Sequence, residues 1–395
     1  MNRRAFVRLV GGGVVLAAGG AGLGACTQAM PPEAVAAWQG PGHEPDLRRW
    51  VLAHAILAPH SHNLQSWLVD LRTPDEILLF CDLDRLLPET DPYSRQMMMS
   101  QGTFIELLAL AARQRGHRAE VTLFPDGAPG PERLDERPVA RIRLVPDAAL
   151  APDPLFGQIL ARRTNRNAYD LARPVPAAAW QAMADAVQPY PLRFGFVGAD
   201  QPALLARHRA IASEAWRVEL VTPRTILESY HVLRVGAREI AQHRDGISLL
   251  DPLPVWLARL GLFDRSKAPA PDAFEIRGQL RDFDAKLEAT GAFLWMVSDD
   301  NARTTQVEAG RAYARVQLAA TAHGVAMHPL QQALQEYPEQ AEHHAAIHAL
   351  VGAGRAAPGA GPEAGPVVQM WARVGFAAPV GPAPRRSVDA HIVRA

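Results

Sequence analysis

The chain has 395 residues, 48% of them hydrophobic and 21% charged, enough for a large core and more than one typical domain. Its 41 basic and 41 acidic residues cancel to a formal charge of zero, so nothing in the composition favours nucleic acid as a bulk partner. The only lysines are Lys267 and Lys286, so an anion site in this chain is built from planar, permanently charged guanidinium forks.

Residues 1–25 read as an export signal. Arg3-Arg4-Ala5-Phe6 has a twin-arginine pattern, and the apolar stretch from Leu9 to Ala25 is too short and glycine-rich for a stable membrane span. It ends in Leu23-Gly24-Ala25-Cys26, which resembles a bacterial lipobox. An ordinary secretory leader is the alternative. The pattern predicts twin-arginine export to the periplasm, lipid attachment at Cys26 and a membrane anchor through it, with residues 26–45 as a flexible tether. Cys81 lies in an apolar run and reads as a small buried hydrophobe rather than a disulfide partner.

The first half, 46–150, opens with a helix near 46–57, halted by Pro59. A polar loop follows, then strands at 66–71 and 76–82, a helix from Gly102, and strands at 119–124 and 138–145. The second half, 151–395, starts with a helix over 154–163 and another after Pro176, then an alternating strand at Leu192–Val197. A mostly helical stretch over about 199–291 has no counterpart in the first half. Strand-like Phe293–Ser298, a helix from Gly310, a Gly/Ala/Pro linker at 352–366 and a strand at 367–376 close the chain. Gly102–Gly116 aligns without gaps to Gly310–Gly324, with Leu-Ala-Ala at 110–112 and 318–320, an offset of 208 residues. The reading is α+β: two related halves forming an intrachain pseudo-dimer, with a helical insertion as a lid.

Four segments could carry chemistry. Arg162-Arg163-Thr164-Asn165-Arg166 offers the paired donors and positive charge a phosphate needs; a solvated helix end is the bland alternative. Ala58-Pro59-His60-Ser61-His62-Asn63-Leu64-Gln65-Ser66-Trp67 is either a capped turn or a ligand loop. His60 and His62 lack a third metal ligand nearby. Pro384-Arg385-Arg386 is a basic grip or a disordered tail. Met327-His328-Pro329-Leu330 follows the second repeat helix. His344 and His348, one turn apart, read as a polar helix face, and Met97–Met99 as core. Ser61 has no Gly-x-Ser-x-Gly elbow, and no Gly-x-Gly-x-x-Gly fingerprint is present.

These segments resemble the nitroreductase superfamily, and among its members the Acg-type fused two-half FMN-binding proteins. The resemblance rests on the Arg-Arg-Ser/Thr-x-Arg run, matched at Arg162, Arg163, Thr164 and Arg166, and on an Ala-Pro-Ser-x-x-Asn-x-Gln-Pro-Trp loop, matched at Pro59, Asn63, Gln65 and Trp67. His60 stands for the usual Ser, and Ser66 for the usual Pro. The resemblance implies FMN as cofactor, held at its phosphate by Arg162, Arg163, Thr164, Arg166, Arg385 and Arg386. Around the ring it implies Pro59, His60, Ser61, Asn63, Gln65, His328, Pro329 and Leu330. It implies no side-chain acid or base, NAD(P)H as donor and a quinone-like or nitroaromatic acceptor; export to the periplasm, which lacks an NAD(P)H pool, points instead to a membrane quinol as donor. A non-catalytic FMN-sequestering protein with a lid-covered site is the alternative. The first half holds Arg48-Arg49 within 46–58 without a following Thr-x-Arg, and 206–213 lacks a clean ring loop. One flavin site of two is therefore expected, in a monomer that mimics a dimer.

Overall fold

Strict alternation of inward and half-exposed positions builds the first hairpin. Trp67 and Val69 of β1 (Trp67–Asp70) point into the core with Ile77, Leu79 and Cys81 of β2 (Glu76–Cys81). The computed structural model describes residues 29–354 and 364–393, so the expected signal with Arg3, Arg4 and Cys26 lies outside the described residues. Before the hairpin comes α1 (Leu47–Ala55), its N-terminus capped by Asp46 through the Arg48 and Arg49 amides. After it come α2 (Arg95–Gln114), β3 (His117–Leu123) and β4 (Ala140–Pro146). The antiparallel sheet runs in the order β1-β2-β4-β3.

The second half repeats this connectivity. It contains α3 (Ala177–Val187), β5 (Leu192–Val197), a long insertion, β8 (Ala292–Asp300), α9 (Arg303–Ala322), β9 (Ala326–Pro329), α10 (Ala341–Leu350) and β10 (Ala364–Gly375). The insertion carries α4 (Pro202–Val221), α5 (Pro223–His231), β6 (Leu233–Val235), α6 (Gly236–His243), β7 (Ile247–Leu249), α7 (Pro252–Arg259) and α8 (Phe274–Glu288). The second sheet runs β5-β8-β10-β9, again antiparallel. In each sheet the third strand in sequence is the edge and the fourth lies inside. The chain is thus α+β, and the insertion sits between the first two strands of the second sheet.

The two long buried helices, α2 and α9, cross where their glycines meet. A Cβ on Gly102 would collide with the Val307 carbonyl, and one on Gly310 with the Met99 carbonyl. Gly310 follows Gly102, and Val307 follows Met99, by the same 208 residues. That is the reciprocal contact expected across a two-fold axis. Around it, one apolar cluster fills the first half and another the second.

One expectation changes, and one open alternative closes. Residues 29–45 are not a tether. Pro32–Val35 is helical and Ala36–Gln39 is a 3-10 turn. Ala34 and Trp38 are buried, and the Trp38 indole donates to the Ala383 carbonyl at 2.8 Å. Apolar contact outweighs the Pro/Gly-rich composition there. The C-terminal arm is likewise packed: Ile392 pairs in parallel with Val69, and the Val69 amide donates to the His391 carbonyl at 2.8 Å. The arm from the second half thereby extends the first sheet.

Candidate functional site

The Arg162–Arg166 run does not end a helix. Pro154–Gln158 is only a 3-10 turn, started by Asp153 accepting the Leu155 amide at 3.0 Å. Pro154 and Gly157 make the segment a poor α-helix. The chain then lies along β9, where the Asn165 amide donates to the Met327 carbonyl at 3.0 Å. Asn165 is buried, and its amide group holds the Ala378 carbonyl at 2.8 Å.

The run's side chains divide by role. Arg162 is buried and joins the halves: Nη2 donates to the Leu57 carbonyl at 2.8 Å and Nη1 to Gln317 Oε1 at 3.1 Å. Its Nε is buried without a partner. Burial, with a smaller contribution from the Arg163 charge, pulls its guanidinium down to about 10. Arg163 uses Nη1 on the Leu160 and Arg162 carbonyls, leaving Nε and Nη2 open. The Thr164 hydroxyl and the entire Arg166 guanidinium have no hydrogen-bond or ion-pair partner among the described residues. Arg166 is solvent-accessible, yet enough protein surrounds it to lower its pKa by desolvation, with Tyr313 and Tyr169 opposing. Accessible and surrounded at once, it lies in a recess.

Across from the run, the loop 59–66 is held in a strained path. His62, Asn63 and Gln65 adopt left-handed backbone angles with φ of 46°, 56° and 55°. Local polar bonds fix it. His60 Nδ1 donates to the Ser61 carbonyl at 2.7 Å, and Nε2 accepts from Ser66 at 2.6 Å. The Ser61 hydroxyl donates to Gln96, and the Pro59 carbonyl accepts from Thr103. Asn63 Oδ1 accepts from Arg385 at 2.5 Å, while Nδ2 reaches the Pro384 carbonyl at 3.1 Å. Gln65 is fully buried, bound to the Arg386 amide at 2.9 Å and to the Arg244 carbonyl of the insertion at 2.9 Å. The side chains of His60, Ser61, Asn63 and Gln65 are therefore engaged within the protein. His62 Nδ1, buried and unpartnered, is the free polar group of this loop. Burial, then the Arg166 charge, lowers its imidazole to about 4.

Arg385 is no loose tail. It is buried, with Nη2 on the Leu57 and Ala58 carbonyls at 3.2 and 2.9 Å. Arg386 holds the Gln65 carbonyl. On the far wall, Arg373 Nε donates to His328 Nδ1 at 3.0 Å, fixing a neutral imidazole with its proton on Nε2. Burial, with Arg166 and Arg373 adding to it, holds that imidazole well below its ordinary pKa. Pro329 pairs with Ala372 in the sheet, and Leu330 is buried with its amide on the Trp371 carbonyl at 2.8 Å. Trp38, Gln317, Arg373 and Tyr313 also shape the site, and the sequence reading missed them. Trp38 meets Ala383 345 residues away, Gln317 meets Arg162 155 residues away and Arg373 meets His328 45 residues away, so no local pattern links them to the site.

The same offset locates a second region. Gln317 and Arg311 correspond to Ala109 and Thr103, and Ala109 and Arg311 line a cavity of about 320 Å³ with Tyr190, Arg315, Asp153 and Arg113. The counterpart of the 59–66 loop is the short turn 188–191, not 206–213, which lies inside α4. The counterpart of the arginine run is 40–46, Gly-Pro-Gly-His-Glu-Pro-Asp, rather than 46–58. Arg48 and Arg49 are paired with Asp46, Glu44 and Asp389. In the cavity, Glu106 bridges Arg311 at 3.0 Å and Arg315 at 2.9 Å, and accepts the Tyr190 hydroxyl at 2.9 Å.

No protein-family model matches the chain. Two curated proteins of Mycobacterium tuberculosis, from strains CDC 1551 / Oshkosh and H37Rv, are each 29% identical to it over 307 residues. The match covers 74% of this chain and 79% of theirs, and both are named, provisionally, NAD(P)H nitroreductases. Among solved structures, an FMN-dependent nitroreductase of Mycobacterium smegmatis in complex with NADPH aligns at 17% identity and a TM-score of 0.33, covering 56% of this chain and 86% of that one. An FMN and NADPH-dependent nitroreductase of Sphigopyxis sp. strain HMH aligns at 15% and 0.39, covering 62% and 99%.

Proposed function

We propose that this chain is a nitroreductase-like, FMN-dependent oxidoreductase with one flavin site, formed between two related halves of a single chain. The observation that carries the reading is the row of open donors on Arg163, Thr164 and Arg166, beside buried Arg162 and Arg385, with no carboxylate paired to any of them among the described residues. Clustered guanidiniums without an acid call for an anionic ligand. The resemblance of the arginine run and the 58–67 loop to nitroreductase motifs supports a flavin as that ligand, and the curated relatives' name supports NAD(P)H as its donor.

The fit is specific to parts of the chain. Arg163, Thr164 and Arg166 would hold the phosphate and adjoining hydroxyls. His328 offers a fixed Nε2–H, and His62 a buried ring nitrogen without a protein partner. FMN supplies two-electron redox chemistry when bound. Asn63, Gln65 and Arg385 shape the loop, and no side chain here is needed as an acid or base. The insertion acts as a lid, since Gly246 donates to the Asn63 carbonyl at 3.1 Å and Val232 packs with Leu64 and Met97. That closure favours a second reading, in which flavin is held without turnover. The twin-arginine and lipobox patterns support a periplasmic protein anchored at Cys26, where a quinol would replace NAD(P)H as donor and quinone-like or nitroaromatic compounds would be acceptors.

The test is to release and identify the flavin, then add NADPH or a quinol to the intact protein without oxygen. FMN whose visible band bleaches with either donor supports the enzyme. FMN that neither donor bleaches supports sequestration, and absence of flavin binding overturns both.

A further inference from the structure

Trp38 stands under three cations. The guanidinium of Arg163 lies 4.4 Å from the centre of its indole, that of Arg385 5.2 Å and that of Arg162 5.5 Å. The indole is buried, held by its Nε1–H on the Ala383 carbonyl at 2.8 Å, and the Arg385 amide donates to the Ala34 carbonyl at 2.8 Å. The segment carrying Trp38 immediately precedes 40–46, the stretch where the first half lacks an arginine run.

Three like charges at one place repel one another. Arg162 and Arg385 find partial relief in the Leu57 and Ala58 carbonyls, just past the C-terminal end of α1, where the peptide dipoles present their negative ends. Arg163 has only two carbonyls of its own segment and is half-exposed. Among the described residues, the electron-rich face of the indole is the group that lies against all three. A cation–π contact holds a guanidinium in place without neutralising it, so the positive charge stays available to a ligand.

We propose that Trp38 is a positioning residue that keeps the guanidiniums of Arg162, Arg163 and Arg385 gathered while no counter-ion is bound, making the site selective for a phosphate monoester. This rests on the flavin reading above, and it adds that FMN is chosen over riboflavin through a residue of the other half. Without the indole, Arg163 swings into solvent and the ligand must bear the cost of ordering it.

The experiment compares the full chain, freed of flavin, with its Trp38→Leu and Trp38→Phe variants. FMN, riboflavin and inorganic phosphate are each titrated calorimetrically. The expected result for Trp38→Leu is a loss of about tenfold in affinity for FMN and for phosphate, with riboflavin changed less than about twofold. Trp38→Phe keeps a ring face and loses the Ala383 bond, and should retain most of the preference. Equal weakening of FMN and riboflavin in Trp38→Leu would make Trp38 a packing residue and overturn the proposal. So would a Phe variant as impaired as Leu, or wild-type protein that binds no phosphate. If wild type binds phosphate but no flavin and Trp38→Leu still loses phosphate, the flavin reading fails and the cage stands.

Discussion

Two arginine clusters flank the α2–α9 crossing, and they differ in one respect. Around Arg162, Arg163, Arg166 and Arg385 no acid forms an ion pair among the described residues. Around Arg311 and Arg315, the carboxylates of Glu106, Asp153 and Glu308 take up the guanidiniums. A cluster closed by its own acids needs no ligand; the cluster left open is the one proposed to take an anion. The contrast also gives a physical form to the proposal of a single flavin site. The second region keeps the helix pair but has a four-residue turn, 188–191, in place of the loop, and a salt-bridge network in place of an anion.

The largest effect should come from opening the closed cluster. The Glu106 side chain is buried between two arginines, and replacing it with Gln leaves both cations in place. Glu106→Gln should destabilise the fold by about 3–5 kcal/mol in urea unfolding, with flavin affinity preserved in protein that folds. A stability change below about 1 kcal/mol would show that the network does little and would blur the distinction between the clusters.

At the open cluster the effects should separate the other way. Arg166→Ala removes a guanidinium without a hydrogen-bond partner among the described residues, and Arg163→Ala one held by two carbonyls of its own segment and the face of Trp38, so unfolding should change by no more than about 1 kcal/mol. FMN affinity should fall by one to two decades for each, about 1.5–3 kcal/mol. Variants that retain full affinity would return the run to the status of an ordinary basic surface.

Much of this was legible in the sequence, for definable reasons. Strands β1 and β2 alternate cleanly, and α2 and α9 carry the same glycine-bounded pattern, because both signals are local. The Arg-Arg-Thr-x-Arg run was legible as a donor cluster, but its split was not. Arg162 is a strut because Leu57 and Gln317 lie 105 and 155 residues away. Asn63 and Gln65 looked like ligand contacts, yet their partners Arg385 and Arg386 lie more than 300 residues downstream. Trp38 sits in a stretch whose prolines and glycines mimic a linker, and nothing local marks its indole as a platform. The lesson is that residue type revealed chemistry, whereas which groups remain open required the fold.

A smaller effect separates the insertion's packing from the site. His208, on α4, is fully buried with both ring nitrogens unpartnered, stacked near Phe293 and Trp295 at 5.2 Å. Burial lowers it from 6.5 to about 4. The unfolded chain therefore takes up the proton first, and the stability His208 contributes is complete above pH 6.5 and lost as pH falls toward about 4. Asp91 and Glu219, raised by burial to about 6 and about 7, work in the opposite direction. His208→Phe should flatten the acid limb of the stability profile while leaving flavin affinity at neutral pH unchanged. An identical acid limb would mean that His208 is not part of the acid response.

The most direct measurement is the number of FMN molecules bound per chain when flavin-free protein is titrated to saturation. The open and closed clusters predict one. Two would mean that the region around Glu106 still binds flavin, and would contradict the account at its centre.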